Sequence, residues 1–326
     1  MQADVATKRL SSTRSLTSLL RDYGIAIALL VEITLFAQFS PYFLTAENLV
    51  NITLQVSITA IIAVGMTFVI LTAGIDLSVG ALVALSGVIA TSFLKISHSL
   101  PLAFTIAIAG GIGVGALAGL IAGVLITRCT ITPFIVTLAI MTISRGAAFM
   151  YTDGRPIWDL PAEFGVLGSG RIAGFPIPTS IMLIVYVLAY IVLNQTRFGR
   201  YVYAVGGNKE AARLSGINTN SVILRVYVIS GILAALSGIL LSSRMNSGQP
   251  NAGLMYELDV IAAVVVGGTS LFGGRGSIIG TFLGAMLIGI LRNGLNLVNV
   301  SSYVQMVVLG VVILLAVMLD QLKKRS

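Results

Sequence analysis

The chain has 326 residues, of which 56% are hydrophobic and only 10% charged. A soluble domain carries about 25% charged residues, so an ordinary water-soluble fold is excluded and the bilayer becomes the natural solvent. The net charge of +8 does not point to nucleic acid, because the basic residues gather at the ends and in loops, the pattern that orients membrane proteins.

Lys8, Arg9, Arg14 and Arg21 precede a first apolar run, Gly24 to Phe39. The run lacks a clear small-x-small cleavage site, so it reads as a retained first span rather than a signal peptide. A helix needs roughly 20 residues to cross about 30 Å of hydrocarbon. The runs that approach this length predict spans near Tyr23–Phe39, Ile52–Thr72, Val79–Leu94, Leu102–Ile126 and Pro133–Met150. A second set lies near Thr179–Leu193, Val222–Leu241, Leu258–Gly267, Ile278–Leu291 and Val304–Leu319. The expected fold is an all-α polytopic membrane protein of about ten transmembrane helices.

An even count puts both termini on one side. With the termini cytoplasmic, Lys and Arg at 8, 9, 14, 21, 128, 197, 200, 209, 213, 225, 275, 323, 324 and 325 lie inside. Those at 95, 145, 155, 171, 244 and 292 lie outside or near that face. Fourteen against six is the sense of the positive-inside rule. Residues 1–22 are then a cytoplasmic segment, 23–319 the transmembrane domain and 320–326 a cytoplasmic tail. Within the domain, 151–178 is an external loop and 195–221 a cytoplasmic one. Five spans on each side of the external loop suggest an inverted repeat. The segments 72–77 and 252–257 share a Gly break, an acid and a following span.

The external loop carries Pro156, Pro161, Pro176 and Trp158, the only Trp. Its mixed charges suit either a plain surface connector or a docking surface or outer gate. Gly111, Gly115, Gly119 and Gly123 repeat every four residues on one span, and Gly276, Gly280 and Gly284 are read the same way on another. Such stripes let helix backbones approach closely. Asp76 stands where the third span begins, which suits an N-cap. An ionisable group near the membrane core is also a pathway candidate. With Ser78 it marks one break, and Glu257 and Asp259 mark another. Glu32 in the first span receives no role.

One polar island interrupts the second half. In Gly207 to Ile217, Asn208 can cap, Glu210, Ala211, Ala212, Arg213 and Leu214 form a turn, and Gly216 closes it. A short capped helix in a loop suits docking against another protein.

Chemistry is poorly provided for. One Cys (Cys129) and one His (His98) allow neither an intrachain disulfide nor a His/Cys metal set. His98, in the polar stretch Lys95 to Ser99, reads as a solvated loop residue. No G-x-x-x-x-G-K-[ST] is present, so the chain has no P-loop for ATP. Catalytic residues, cofactors and metals are accordingly not expected.

The run Ala63 to Gly80, with its Thr72-Ala73-Gly74-Ile75-Asp76-Leu77-Ser78, resembles the signature of the permease subunits of monosaccharide ABC importers, closest in type to the ribose permease. Gly206 to Ile217, Tyr256 to Ala263, Gly267 to Gly276 and Asn293 to Leu297 resemble further motifs in the same order, and the likeness spans about Ser40 to Leu319. The resemblance implies a homodimeric permease in the inner membrane. It also implies a periplasmic sugar-binding protein outside and a separate ABC ATPase inside. The family's coupling element, Glu-Ala-Ala with Gly four residues on, falls on Glu210, Ala211, Ala212 and Gly216. The Leu-Pro that follows it in some importers is missing. Two other readings are an ion-coupled secondary sugar transporter, which usually shows intramembrane acids as proton relays, and a non-transporting membrane receptor or scaffold.

Overall fold

The computed structural model describes residues 16–95, 99–172 and 174–325; His98, Lys8, Arg9 and Arg14 lie outside them. The first half runs through α1 (Leu16–Phe39), α2 (Ala46–Leu71), α3 (Val79–Leu94), α4 (Leu100–Arg128) and α5 (Pro133–Thr152). A connector follows, with α6 (Ala162–Ser169) and a two-residue antiparallel hairpin of β1 (Arg171–Ile172) and β2 (Phe175–Pro176). The second half holds α7 (Ile177–Gln195), α8 (Arg197–Gly207), α9 (Lys209–Leu214), α10 (Thr219–Met245), α11 (Tyr256–Val266), α12 (Ile278–Leu297) and α13 (Ser302–Arg325). The chain is thus all-helical apart from the hairpin. Among the described residues six helices, α2, α4, α5, α7, α10 and α12, are long and apolar enough to cross a bilayer. Gly24–Phe39, Val79–Leu94 and Ser302–Met318 are shorter apolar helices.

Local chemistry sets the boundaries. Pro101 and Pro133 sit in the first turns of α4 and α5, where a missing N–H costs nothing. Thr45 and Ser277 cap α2 and α12 through bonds from Asn48 N and Gly280 N. Asp153 and Asn246 end α5 and α10 in left-handed conformations, which Asn and Asp tolerate better than most residues.

The core follows α2, buried over 83% of its apolar stretch, and α10, over 61%; α4 and α5 are buried over only 28%. The outer faces of α4 and α5 present Leu117, Ile121, Phe134, Ile135 and Ile143. Apolar residues facing outward need lipid, not water, as their solvent. Between α2 and α12 the helices are joined by polar pairs: Asn48 and Asn293 exchange amide bonds of 3.0 and 2.9 Å, and the Thr67 and Thr281 hydroxyls meet at 2.8 Å. Interhelical bonds of this kind compensate for the absence of a hydrophobic drive inside lipid.

The α4 glycines lie on α10. A Cβ on Gly115 would enter the Gly231 carbonyl, one on Gly119 the Tyr227 carbonyl, and one on Gly123 would lie 2.8 Å from the Leu224 Cα. Gly280 and Gly284 stand likewise against the Gly267 and Ala263 carbonyls at the end of α11. Gly276 corrects the sequence reading. It precedes the Ser277 cap, lies outside α12 and has φ +156°, with Thr269 against it. Its spacing matches the stripe, but the helix starts two residues later.

The α4–α10 seam yields a paired test. Gly115→Leu forces a side chain into the α10 backbone and should cost about 1–3 kcal/mol or more, read as a lowered melting temperature in detergent. Gly113→Leu, on open ground with nothing within 4 Å, should melt like the parent.

Candidate functional site

Two interruptions of the helical bundle meet at its centre. The first follows α2. Thr72 N bonds back to Val69 O, Ala73 takes φ +60°, and the chain turns back toward the bundle middle. Asp76 is buried (2% exposed). Its Oδ1 accepts from Ser78 N at 3.0 Å and Ser78 Oγ at 2.6 Å, and its Oδ2 accepts from Ser230 Oγ on α10 at 2.7 Å. The Ile75 carbonyl, freed by the break, accepts from Thr137 Oγ1 of α5 at 3.2 Å and Tyr227 Oη of α10 at 3.4 Å. The N-cap position of α3 is Ser78, whose side chain makes no capping bond. Asp76 sits two residues earlier. It holds the N–H of the cap residue and fastens the break to α10, a cross-bundle bond that sequence spacing could not disclose.

The second interruption follows α10. Asn246 has φ +46° and Met255 has φ +67°, and between them Ser247, Gly248, Pro250 and Gly253 are buried. Arg145 Nη1 of α5 donates to Pro250 O at 3.0 Å and Ala252 O at 2.7 Å. Glu257 and Asp259 occupy the first turn of α11, where the helix dipole favours negative charge. Asp259 Oδ1 pairs with Arg292 Nη2 of α12 at 2.6 Å. Arg145 and Arg292, counted in the sequence only as charges of the outer face, are structural partners of this break. Their signal was an arginine inside an apolar run, which seldom stands without a partner.

The two breaks touch. A side chain on Gly80 would strike the Glu257 carboxylate and the Gly253 carbonyl, and one on Gly253 would strike Gly80 O. Asp76 with Ser78, and Glu257 with Asp259, therefore belong to neighbouring interruptions in contact at the α3 and α11 starts.

The polar island forms its helix, α9, at one end of the bundle. Asn208 Oδ1 accepts from Ala211 N at 2.9 Å. At the other end Gly216, at φ +83°, donates to Arg213 O, and Ile217 N donates to Ala212 O. This is the Schellman closure that a left-handed glycine permits. Ala212 is buried, Glu210, Ala211 and Arg213 are exposed, and Leu214 is 80% exposed. The 3.8 Å Glu210–Arg213 pair is solvent-facing and contributes little.

The sequence reading missed α8. Val202 and Val205, both buried, with the half-buried Phe198, make one apolar face opposite Arg197, Arg200 and Tyr201. That helical spacing was the available signal. Through α8, the α9 region rests on both halves of the bundle. Tyr203 Oη donates to Gly276 O at 2.9 Å, and burial raises its pKa, so it stays a protonated donor. Gly274 N donates to Leu71 O at 3.0 Å, and a Cβ on Gly206 would enter that same Leu71 carbonyl. The end of α2, the α11–α12 loop and the α8–α9 turn thus meet backbone to backbone.

A buried bundle with two re-entrant breaks and an exposed helix at one end is the build of a membrane transport permease. The chain belongs to the family described as branched-chain amino acid transport system / permease component, which matches residues 48–317. It is 50% identical to the ribose import permease protein RbsC of Escherichia coli (strain K12) over 302 residues, 91% of this chain and 93% of that one. It is 47% identical to the RbsC of Bacillus subtilis (strain 168), covering 92% of each chain. Against the D-allose transport system permease protein AlsC of Escherichia coli (strain K12) it is 40% identical over 92% of this chain. No solved structure matches. The resemblance read from the motifs is borne out.

Asp76 separates two roles. In Asp76→Asn the amide oxygen keeps the Ser78 bonds and the NH2 can donate to Ser230 Oγ, so folding and uptake should stay near normal. Asp76→Ala strands the Ser78 N–H and should cost about 1–3 kcal/mol. Uptake normalised to folded permease checks this; equal loss in both variants with folding intact would place the charge itself in the transport pathway.

Proposed function

We propose that this chain is the membrane subunit of an ATP-driven importer of ribose or a closely related monosaccharide. The observation that carries the reading is its 47–50% identity, over nine tenths of its length, to ribose import permeases of two organisms. In this reading a separate ABC ATPase docks on α9, centred on Glu210, Ala211 and Gly216, and a periplasmic sugar-binding protein docks at the opposite end. The exposed Trp158, Ile172 and Phe175 give that end an apolar rim suited to a protein contact. The working unit is a homodimer in the inner membrane. ATP binding and hydrolysis shift α9 and rock the spans between outward and inward states. The chain itself performs no covalent chemistry.

The topology we favour has ten spans: α1 to α5, α7 and α10 to α13. At about 1.5 Å per residue, the 11-residue α11 reaches about 16 Å, and the re-entrant 246–255 segment completes its crossing. An inverted five-span repeat is supported by the third span of each half, α3 and α11. Each is short and each follows a left-handed break. Both termini then lie on the α9 side, with residues 151–178 outside.

Two experiments test this. Proteoliposomes holding the chain, its ATPase and its binding protein should concentrate labelled ribose only when ATP is inside. Gly216→Val should abolish this uptake while binding-protein docking persists, because a β-branched residue resists the left-handed conformation. Gly216→Asn, which accepts that conformation, should retain it. Uptake driven by an ion gradient without the ATPase would instead favour the secondary transporter.

Orientation is tested with the exposed Cys129, which ends α4 at the α9 end of the bundle. An impermeant thiol reagent should leave it unlabelled in spheroplasts. In a Cys129→Ser background, a cysteine at Trp158 should label from outside and one at Ser215 only from inside. Reversed labelling would overturn the orientation.

A further inference from the structure

The half of the bundle opposite α9 holds a cavity of about 210 Å³. At about 30 Å³ per water it has room for about seven waters, the scale of one sugar ring. It is smaller than the roughly 300–1,000 Å³ of drug-sized pockets. It is a partly open cleft with a mixed polar and apolar wall. Gln55 of α2, Arg244 of α10, Tyr256 and Asp259 of α11, and Arg292 and Asn296 of α12 all line it.

Two features say that this wall is built to receive a hydroxylated guest. Asp259 is 96% buried (4% exposed) and spends only Oδ1 on Arg292; Oδ2 and Arg292 Nε have no partner among the described residues. Both atoms are sealed from the cavity, so the polar side chains left to face it are chiefly Gln55, Arg244, Arg292 and Asn296. The two amides among them donate and accept, as a hydroxyl does. In addition, Gln305 Nε2 donates to Asn296 Oδ1 at 2.8 Å and to Val300 O at 2.9 Å. That bond orients the Asn296 amide and leaves its NH2 to donate. Ile58, Ile288 and the Tyr256 ring complete the lining with surface suited to the C–H faces of a sugar.

Position fits as well. Thr219 stands at the α9 end, and Arg244 lies 25 residues further along α10, roughly 37 Å away at about 1.5 Å per residue. The cavity is therefore on the side where a binding protein releases cargo. It lies against the start of α11, one of the two elements that form the central break.

Resting on the sugar-import reading, we infer that this cavity is a holding site for a single monosaccharide, occupied after delivery and before passage of the central break. Arg292, Asn296 and Gln55 grip the hydroxyls, Asp259 holds the Arg292 guanidinium in place, and Tyr256 covers a C–H face.

The test uses the complete complex in proteoliposomes, with labelled ribose, saturating binding protein and internal ATP. Asn296→Leu and Gln55→Leu remove hydrogen-bonding groups; Thr59→Phe fills the space and leaves the named polar groups in place. Each is normalised to folded permease. Each should lower sugar uptake by about tenfold or more while binding-protein-stimulated ATP hydrolysis stays within about twofold, and Gln55→Asn should recover part of the Gln55 loss. A purely structural role would lower uptake and hydrolysis together, and that result overturns the proposal, as does normal uptake in Asn296→Leu and Thr59→Phe. If the unsubstituted complex takes up no sugar at all, the import reading fails, and the holding site with it.

Discussion

Backbone polar groups released inside an apolar bundle must find partners, and this requirement governs the centre of the protein. Lipid offers no hydrogen bonds, so irregular backbone at depth survives only where protein satisfies it. At the first break, Ile75 O is held by Thr137 and Tyr227, and Ser78 N by Asp76. At the second, Pro250 O and Ala252 O are held by the Arg145 guanidinium. The partners come from α5 and α10 in the first case and from α5 in the second. One helix, α5, therefore anchors both interruptions.

The same requirement explains the glycines. Where Gly80 meets Gly253 and Gly115 meets Gly231, any side chain would separate backbones that touch. Close apposition lets α3, α4, α10 and α11 pack without hydrophobic drive. It also brings the N-terminal dipoles of α3 and α11 together, beside Glu257.

Much of this was legible in the sequence, for reasons that differ between elements. Long apolar runs are dictated by the thickness of hydrocarbon, so α2, α4, α5, α7, α10 and α12 lay close to their expected positions. The α9 helix was legible because its cap and closure are local: Asn208 reaches three residues ahead, and Gly216 needs only its own φ. Long-range partners were hidden. Asp76 resembled a helix cap because a carboxylate before a helix usually is one, and nothing nearby in sequence announces Ser230, 154 residues away. Arg145 and Arg292 were absorbed into a charge tally whose logic concerns loops, although each is drawn inward by a carbonyl or a carboxylate. Gly276 kept the four-residue spacing while the helix began after it. The connector hid α6 because its anchoring depends on Phe164, wholly buried against α10, with its carbonyl bonded by Ser243 Oγ.

The junction of Gly206, Leu71 and Gly274 has a mechanical consequence. Most interfaces between moving parts are cushioned by side chains, whose rotamers can shift to absorb a small displacement. Here main chain bears directly on main chain, with the Gly274 N–H bonded to the Leu71 carbonyl and no side chain on either glycine to yield. No rotamer change can alter the spacing between the α8–α9 turn and the foot of α2 at this point. The contact lies a few residues before the turn that holds Asp76. The separation of these two segments is therefore set by main-chain geometry and not by the softness of the packing around them.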